Sequence, residues 1–552
     1  MPLSGPQITA CTMDCPDACS LIITPDRTGH PRIQGNPDHP FTRGFVCAKI
    51  KRHIQRLNRP DRVLHPLRKT RGGGWETLTW EQALDLCAAK IQALRGSPAA
   101  ILHLPGEGAK GVLKKGVQRF FRQLGASRVR GTLCDGAGYV AYVRDFGSRK
   151  NHVPDDLLQA RRVVNWGKDL SRSSIHTAAV VRKAKKSGAR VMSISPGGDG
   201  NLPFSDEMIR IRPGTDRFLA AAIIRRLLAK DLVSGRVIAK TRRWEHLRDL
   251  ILSRSEEACL ESCEVSRPQA DRLFQWYTGE GPTATLVGTG LQRYRYGGEN
   301  VRFINALVMC SGNMGITGGG SYYHLHSFAN LNLNWIKDPQ NRSQRTFLMP
   351  MAAREILAAR DPAVRMLWIN GTNFVNQAPN IRQTIRAFEA VDFKVVVDAF
   401  MNDTAQSADL ILPAALMLEQ EDIVGSYLHE YVQYARAVLP APGEARDDYG
   451  IVADLGRRLD PPVVLPDREE ALRSSLESPL LDAPLETLRR TQTIRARRPR
   501  VAYDALTFDH PDRRYHPPAD LHDEPDPPEG FPYRLLTLIR RDFIHSLSLI
   551  HI

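Results

Sequence analysis

Short apolar runs bounded by glycine-rich or polar turns recur along the chain and alternate with longer amphipathic stretches. Runs at residues 99–104, 163–166, 190–194, 208–211, 283–287, 366–370 and 394–398 predict strands. Between them, Thr79 with Gln82 has the form of a capping box opening a helix that ends at Gly96. In that helix Ala83, Leu86, Cys87, Ile91 and Leu94 share one face, which makes Cys87 a core residue. A second helix is expected over residues 174–187, and an apolar one after Arg212-Pro213-Gly214-Thr215-Asp216. Residues 75–79 read as a short strand, and residues 59–67 as a proline-punctuated, extended connection. Alternation at this scale predicts an α/β fold with doubly wound, mostly parallel sheets. Ligands of such folds lie beyond the carboxyl ends of the strands, where the turns fall.

The first chemistry comes before this alternation begins. Cys11-Thr-Met-Asp14-Cys15-Pro-Asp17-Ala-Cys19, completed by Cys47, spaces four thiols as C-x3-C-x3-C-x27-C. Three cysteines on one loop plus a distant fourth suit a cubane 4Fe–4S cluster, one thiolate per iron. A structural zinc site is the rival, although zinc knuckles usually carry their ligands in pairs. Cys259 and Cys263, four apart on a predicted helix, lack further ligands and read as ordinary core thiols. Gly106-Glu-Gly108-Ala-Lys110-Gly111 is formally G-x-G-x-x-G between a strand and a helix. No acidic residue follows to hold a ribose, so it reads as a glycine loop approaching some other ligand.

Composition narrows the class. A chain of 552 residues, 42% hydrophobic and 25% charged, is ordinary for a soluble protein of several domains. No apolar run reaches the length of a membrane span, and no leader precedes the cluster loop, so a cytoplasmic location is expected. The formal charge of +16 admits nucleic acid as a partner. The arginines are scattered, however, and no recognised binding motif accompanies them, so none is expected.

With these motifs in hand, the chain resembles the prokaryotic molybdopterin oxidoreductases of the dimethyl sulfoxide reductase type, from Cys11 to about Asp448. Cys11, Cys15, Cys19 and Cys47 match that family's 4Fe–4S ligands. Lys49 matches its lysine between cluster and pterin, which relays electrons; the usual following glycine is Ile50 here. Gly131-Thr-Leu-Cys134-Asp135-Gly136 falls where the family presents its molybdenum ligand. Cys134 is the candidate, Asp135 the alternative, and a small buried thiol in a tight turn the structural reading. Arg212-Pro213-Gly214-Thr215-Asp216 is similar to the guanine-dinucleotide motif, although Asp216 also suits a helix start. Gly312-Asn-Met-Gly315 resembles a glycine loop near the pterins, and Gly371-Thr-Asn373, Asp398 and Asn402-Asp-Thr404 the second dinucleotide half. Asn165, Gly167, Ser195 and Gly288, at strand ends, complete the implied cofactor-binding set. Trp166-Gly167-Lys168-Asp169 departs from the asparagine-containing turn usual there.

The resemblance implies a molybdenum (or tungsten) centre held by two molybdopterin guanine dinucleotides and wired through the 4Fe–4S cluster. Such a centre transfers an oxygen atom or electrons between a small substrate and an external redox protein. Formate dehydrogenases of the family place histidine after the metal ligand, where this chain has Asp135. A non-redox hydratase-type member, or an iron–sulfur or zinc protein acting on nucleic acid, is the alternative.

The expected organisation is a cluster domain at 1–65 and a discontinuous α/β domain at 66–130 and 325–460. A dinucleotide-binding α/β domain follows at 131–324, then a Pro/Arg-rich connection at 461–530. A barrel-like C-terminal domain is expected to begin with a strand at 531–539 and to be largely missing by 552. The last six residues, 547–552, resemble translated adapter sequence.

Overall fold

The computed structural model describes residues 5–198, 200–337, 345–541 and 544. Residues 547–552 fall outside this set, so their expected character is not addressed by it.

Strands Gln7–Ala10, Ser20–Pro25 and Pro31–Gly35 form a small antiparallel meander that carries the first three thiols in its opening loop. Two larger sheets follow. One has six parallel strands in the order Thr346–Leu348, Ser127–Arg130, Ile101–Pro105, Met366–Asn370, Phe393–Asp398, Leu410–Pro413. It is extended at one edge by the antiparallel pair Leu67–Lys69 and Trp75–Thr77. The second has five parallel strands in the order Glu207–Arg210, Arg190–Ser195, Arg162–Trp166, Thr283–Val287, Ser321–Tyr322. Central strands such as Met366–Asn370 and Thr283–Val287 are buried along their whole length, as parallel strands covered by helices must be. The expected class is therefore the observed one, and Cys87 is a core residue.

Each sheet has a topological switch point. From Ile101–Pro105 the chain adds Ser127–Arg130 on one side and later Met366–Asn370 on the other. From Arg162–Trp166 it adds Arg190–Ser195 on one side and Thr283–Val287 on the other. At both points the strand-end turns touch backbone to backbone. Gly108 N donates to Gly371 O (2.8 Å), and Gly288 N to Trp166 O (2.8 Å). A Cβ on Gly106 would overlap Gly371, and one on Gly288 would overlap Gly167. Glycine is required there by space.

Helix Trp80–Ala93 is held by the expected box, with Gln82 N donating to Thr79 Oγ1 (3.2 Å) and Thr79 N to Gln82 Oε1 (3.0 Å). Two expectations need correction. Segment 461–530 carries helices Arg468–Leu476 and Leu485–Thr491 and strand Thr493–Arg495, and it adds Tyr503, Phe508 and Tyr515 to a core. Contacts spread over two cores, rather than periodicity, order this stretch. Residues 531–539 form no strand: Tyr533 is 92% exposed, and an apolar run without a neighbouring strand has no ladder to join. Among the described residues no helix is long and apolar enough to cross a membrane.

Candidate active site

Both switch points open onto one cavity of about 1920 Å³, well above the ~300–1,000 Å³ of a single small-molecule site. Its wall takes in Cys15 and Lys49 from the cluster region, and Gly106, Gly108 and Gly371 from the larger sheet. Gly167, Ser195 and Thr289 come from the smaller one, and the Cys134–Asp135 loop lies between.

The four early thiols gather at one end. Cys11 and Cys19 are buried and Cys15 and Cys47 half-buried; Cys11, Cys19 and Cys47 share an apolar cluster with Met13, Ile50 and Met417. Burial, then the charge of Cys47, pushes the Cys11 thiol up to about 12; burial also raises Cys15 and Cys19, and each feels the other thiols. Such a set stays protonated until cationic iron offsets the charge, so folding and metal binding are coupled. Among the described residues no three His, Cys, Asp or Glu side chains converge as on a single ion. Cubane ligands stand further apart, one per iron.

Behind the loop, burial would raise Asp17, but hydrogen bonds from His176 (Nδ1, 2.7 Å) and Ser174 (2.9 Å) win and hold its carboxyl down. Lys49 Nζ donates to Arg172 O (2.7 Å), and Lys49 lines the cavity. Two lysines absent from the expected set stand near the thiol loop. Lys110 is buried, donates to Cys15 O and lies 3.7 Å from the Tyr427 ring centroid. Lys168 is buried, and its carbonyl accepts from Asn165 Nδ2 (2.9 Å). Asn165 thereby braces the turn that departs from the usual pattern, and its Oδ1 is buried without a partner.

The Cys134 loop is braced from both sides. Thr132 Oγ1 accepts from the amides of Cys134 (3.3 Å) and Asp135 (3.0 Å). Gln292 Nε2 donates to Cys134 O (3.1 Å), Gln292 Oε1 accepts from Gly138 N, and Tyr323 OH donates to Asp135 O (3.2 Å). Helix Gly136–Phe146 then leads away. The Cys134 sulfur stays reachable, 4.0 Å from Arg293 Nη2. Burial and Asp135 push its thiol up to about 11.

The other expected residues divide. Asp216 lines the cavity; one oxygen accepts from Trp166 Nε1 (2.8 Å). Asn373 lines it too, pinned by Thr404 Oγ1 (2.6 Å), so Thr404 acts through Asn373. Asp398 faces the cavity, yet its oxygens accept from Ala399 N, Phe400 N and Asn402 Nδ2 (2.7–3.1 Å) and order its own loop. Gly214 turns with φ +83° ahead of Asp216, and neither it nor Pro213 lines the cavity. Gly312 and Gly315 lie elsewhere: Gly315 packs on Tyr503, and neither lines the cavity. The expected helix directly after Gly111 begins only at Lys115; Gly111 instead packs on Asp422.

Asp216 offers a titration. Burial, against the Trp166 hydrogen bond, pushes its carboxyl up to about 6, compared with ~3.9 in an unfolded chain. Between about pH 4 and 6 the unfolded chain has lost this proton while the folded one keeps it. Stability therefore falls as pH rises through that window, by roughly 3 kcal/mol in full. In cofactor-free protein, Asp216→Asn is expected to flatten this part of the urea-midpoint profile; superimposable profiles would refute the assignment.

Two switch points sharing one cavity beside a four-thiol loop make a site with the layout of an enzyme that binds large ligands at its strand ends. The family model described as molybdopterin oxidoreductase matches residues 62–458, and the one described as its Fe4S4 domain matches residues 8–59. The chain belongs to the molybdopterin oxidoreductase family. Probable oxidoreductase YyaE of Bacillus subtilis is 34% identical over 461 residues, covering 82% of this chain and 68% of the relative. Probable dimethyl sulfoxide reductase chain YnfF of Escherichia coli is 25% identical over 524 residues, covering 82% and 64%. The chain thus spans about two thirds of these relatives. Acetylene hydratase from Pelobacter acetylenicus shares the fold, with TM-score 0.80 at 17% identity over 92% of this chain and 77% of that one.

Proposed function

We propose that this chain is the catalytic part of an oxidoreductase that holds molybdenum, or tungsten, through two molybdopterin guanine dinucleotides and carries a 4Fe–4S cluster. It would act on a small substrate and exchange electrons with an external redox protein. The observation that carries this is the Cys134–Asp135 loop in the wall of a cavity that both switch points share with Cys15 and Lys49.

The residues present fit the cofactors. The cavity has room for two dinucleotides, and Asp216 in its wall keeps one oxygen clear of Trp166 for N–H donors such as guanine's. When bound, the pterin-held metal supplies two-electron oxygen-atom or hydride-equivalent chemistry, and the cluster one-electron transfer. The chain's part is positional. Gly167 and Gly288 at one switch point, with Ser195 beside them, and Gly106 and Gly371 at the other, let backbone approach pyrophosphate. Lys49 and Lys168 offset its charge. Cys134 offers a soft thiolate to the metal, held by Gln292 and Tyr323.

Elemental analysis with paramagnetic resonance on anaerobically purified protein tests the reading. Iron near four per chain, together with molybdenum or tungsten and oxidised-pterin fluorescence, is expected. Zinc in place of iron, with no pterin, would overturn it.

A further inference from the structure

The smaller sheet carries a second depression, at the end opposite the large cavity. It encloses about 480 Å³, and its wall includes Arg161, Arg162, Arg190, Arg272, Glu207 and Trp276. Arg162, Arg190 and Glu207 are the first residues of their strands, whereas the large cavity meets this sheet at Gly167 and Ser195, where strands end. The two sites share no lining residue.

Four guanidiniums here meet one carboxylate. Helices Ile175–Lys186 and Arg267–Thr278 end beside them, and helix C-termini attract cations. Arg162 is used in that way: Nε donates to Trp276 O, and Nη2 to Gly279 O and Gly281 O, all at 2.7 Å. The remaining three are not. Glu207 is divided between Arg190 at 2.6 Å and Arg272 at 3.4 Å. The Arg161 side chain has no ion pair or hydrogen bond among the described residues. Nearby acids are engaged elsewhere, Asp206 with Lys185 (2.7 Å) and Asp271 with Arg226 (2.5 Å); Glu280, in the adjoining turn, is outside the wall. Burial, and then the charges of Arg161 and Arg190, hold the Arg162 guanidinium below the usual arginine range. A depression lined by one sign of charge focuses its field on a ligand of the other.

We propose that this depression binds a diphosphate group, free or carried by a nucleotide. Its volume suits one small ligand. Arg161, Arg190 and Arg272 come from a loop, a strand and a helix, and a ligand meeting all three must present oxygens in several directions. Tetrahedral phosphates do so, whereas a carboxylate offers two coplanar oxygens to a single fork. Trp276 is buried, with Arg190 over its ring at 5.3 Å, so it opens no face to a base, and the diphosphate supplies the recognition.

The test is calorimetric titration of the full chain with sodium pyrophosphate, ADP and trisodium citrate, in about 0.15 M salt to screen diffuse attraction. Pyrophosphate and ADP are expected to bind with similar Kd, and citrate more weakly. Arg161→Gln with Arg272→Gln should raise both Kd values at least tenfold, as loss of two charge-assisted contacts does. Both side chains are exposed, so the fold should survive, which an unchanged Tm checks. Arg382→Gln with Arg386→Gln removes the same charge from the exposed face of helix Ile381–Glu389 and should change neither Kd. Pyrophosphate held in the large cavity would be indifferent to the first pair of substitutions, so unaltered Kd values there overturn the proposal. So does equal weakening in the two double variants, which reduces the effect to net charge. Citrate binding as tightly as pyrophosphate, ADP binding where pyrophosphate does not, or a parent that binds neither diphosphate overturns it as well. Metal and pterin do not enter this readout, so its failure leaves the proposed activity untouched.

Discussion

Cys134→Ser is expected to lower turnover by more than about 100-fold while leaving the iron–sulfur resonance intact. Changes beyond a metal's direct ligands already cost about 10–100-fold, and on the proposed assignment this one exchanges the soft ligand sulfur itself for a harder, far less acidic oxygen. The loop should keep its shape. Thr132, Gln292 and Tyr323 hold it through the backbone of residues 134, 135 and 138, none of which the substitution touches. Thermal stability should therefore change little, and the loss should show in activity and in the metal's resonance. Asp135→Asn is the matched control, since Asp135 is the alternative ligand. If Asp135→Asn is inactive and Cys134→Ser is not, the ligand assignment passes to the carboxylate. Turnover coupled to a reduced viologen dye, with molybdenum counted per chain, separates the two.

Glu419→Ala should destabilise the chain by about 3–5 kcal/mol, the range for stripping one partner from a buried ion pair. Arg62 closes the cluster region, and Glu419 lies far along the chain; their side chains are 2% and 3% exposed. The guanidinium forks onto both carboxylate oxygens, with Nη2 at 2.9 Å, and Glu419 Oε2 also accepts from Leu416 N at 2.7 Å. Removing the carboxylate leaves Arg62 buried near Arg56, which already feels its charge. Replacing both partners by apolar residues of similar size, Arg62→Met with Glu419→Leu, should cost much less, because no charge is then stranded. Urea midpoints of the single and double variants measure the difference. Equal losses would show that the side chains matter for packing alone.

Strand periodicity located most of the parallel strands within a residue or two, because a fully buried strand must be apolar throughout and its ends must turn. The thiol spacing was equally legible, since a cluster loop is local and its ligands carry their own signature. Cys134 came only through likeness, as a lone cysteine in a glycine-rich turn has no spacing to read. The glycines at 312 and 315 show the opposite failure: a glycine string marks a tight turn, but not what the turn approaches, and here it is Tyr503.

By itself, then, the sequence determined the layered α/β class, the four-thiol loop and the turns at the strand ends, each of which follows from residues close together in the chain. Tertiary structure alone decided which turns share a cavity. It brought Gly167 against Gly288 and Gly106 against Gly371, and set Lys110 and Lys168 beside the thiol loop. Those arrangements depend on strand order and on charges meeting across hundreds of residues, and local patterning carries no record of either.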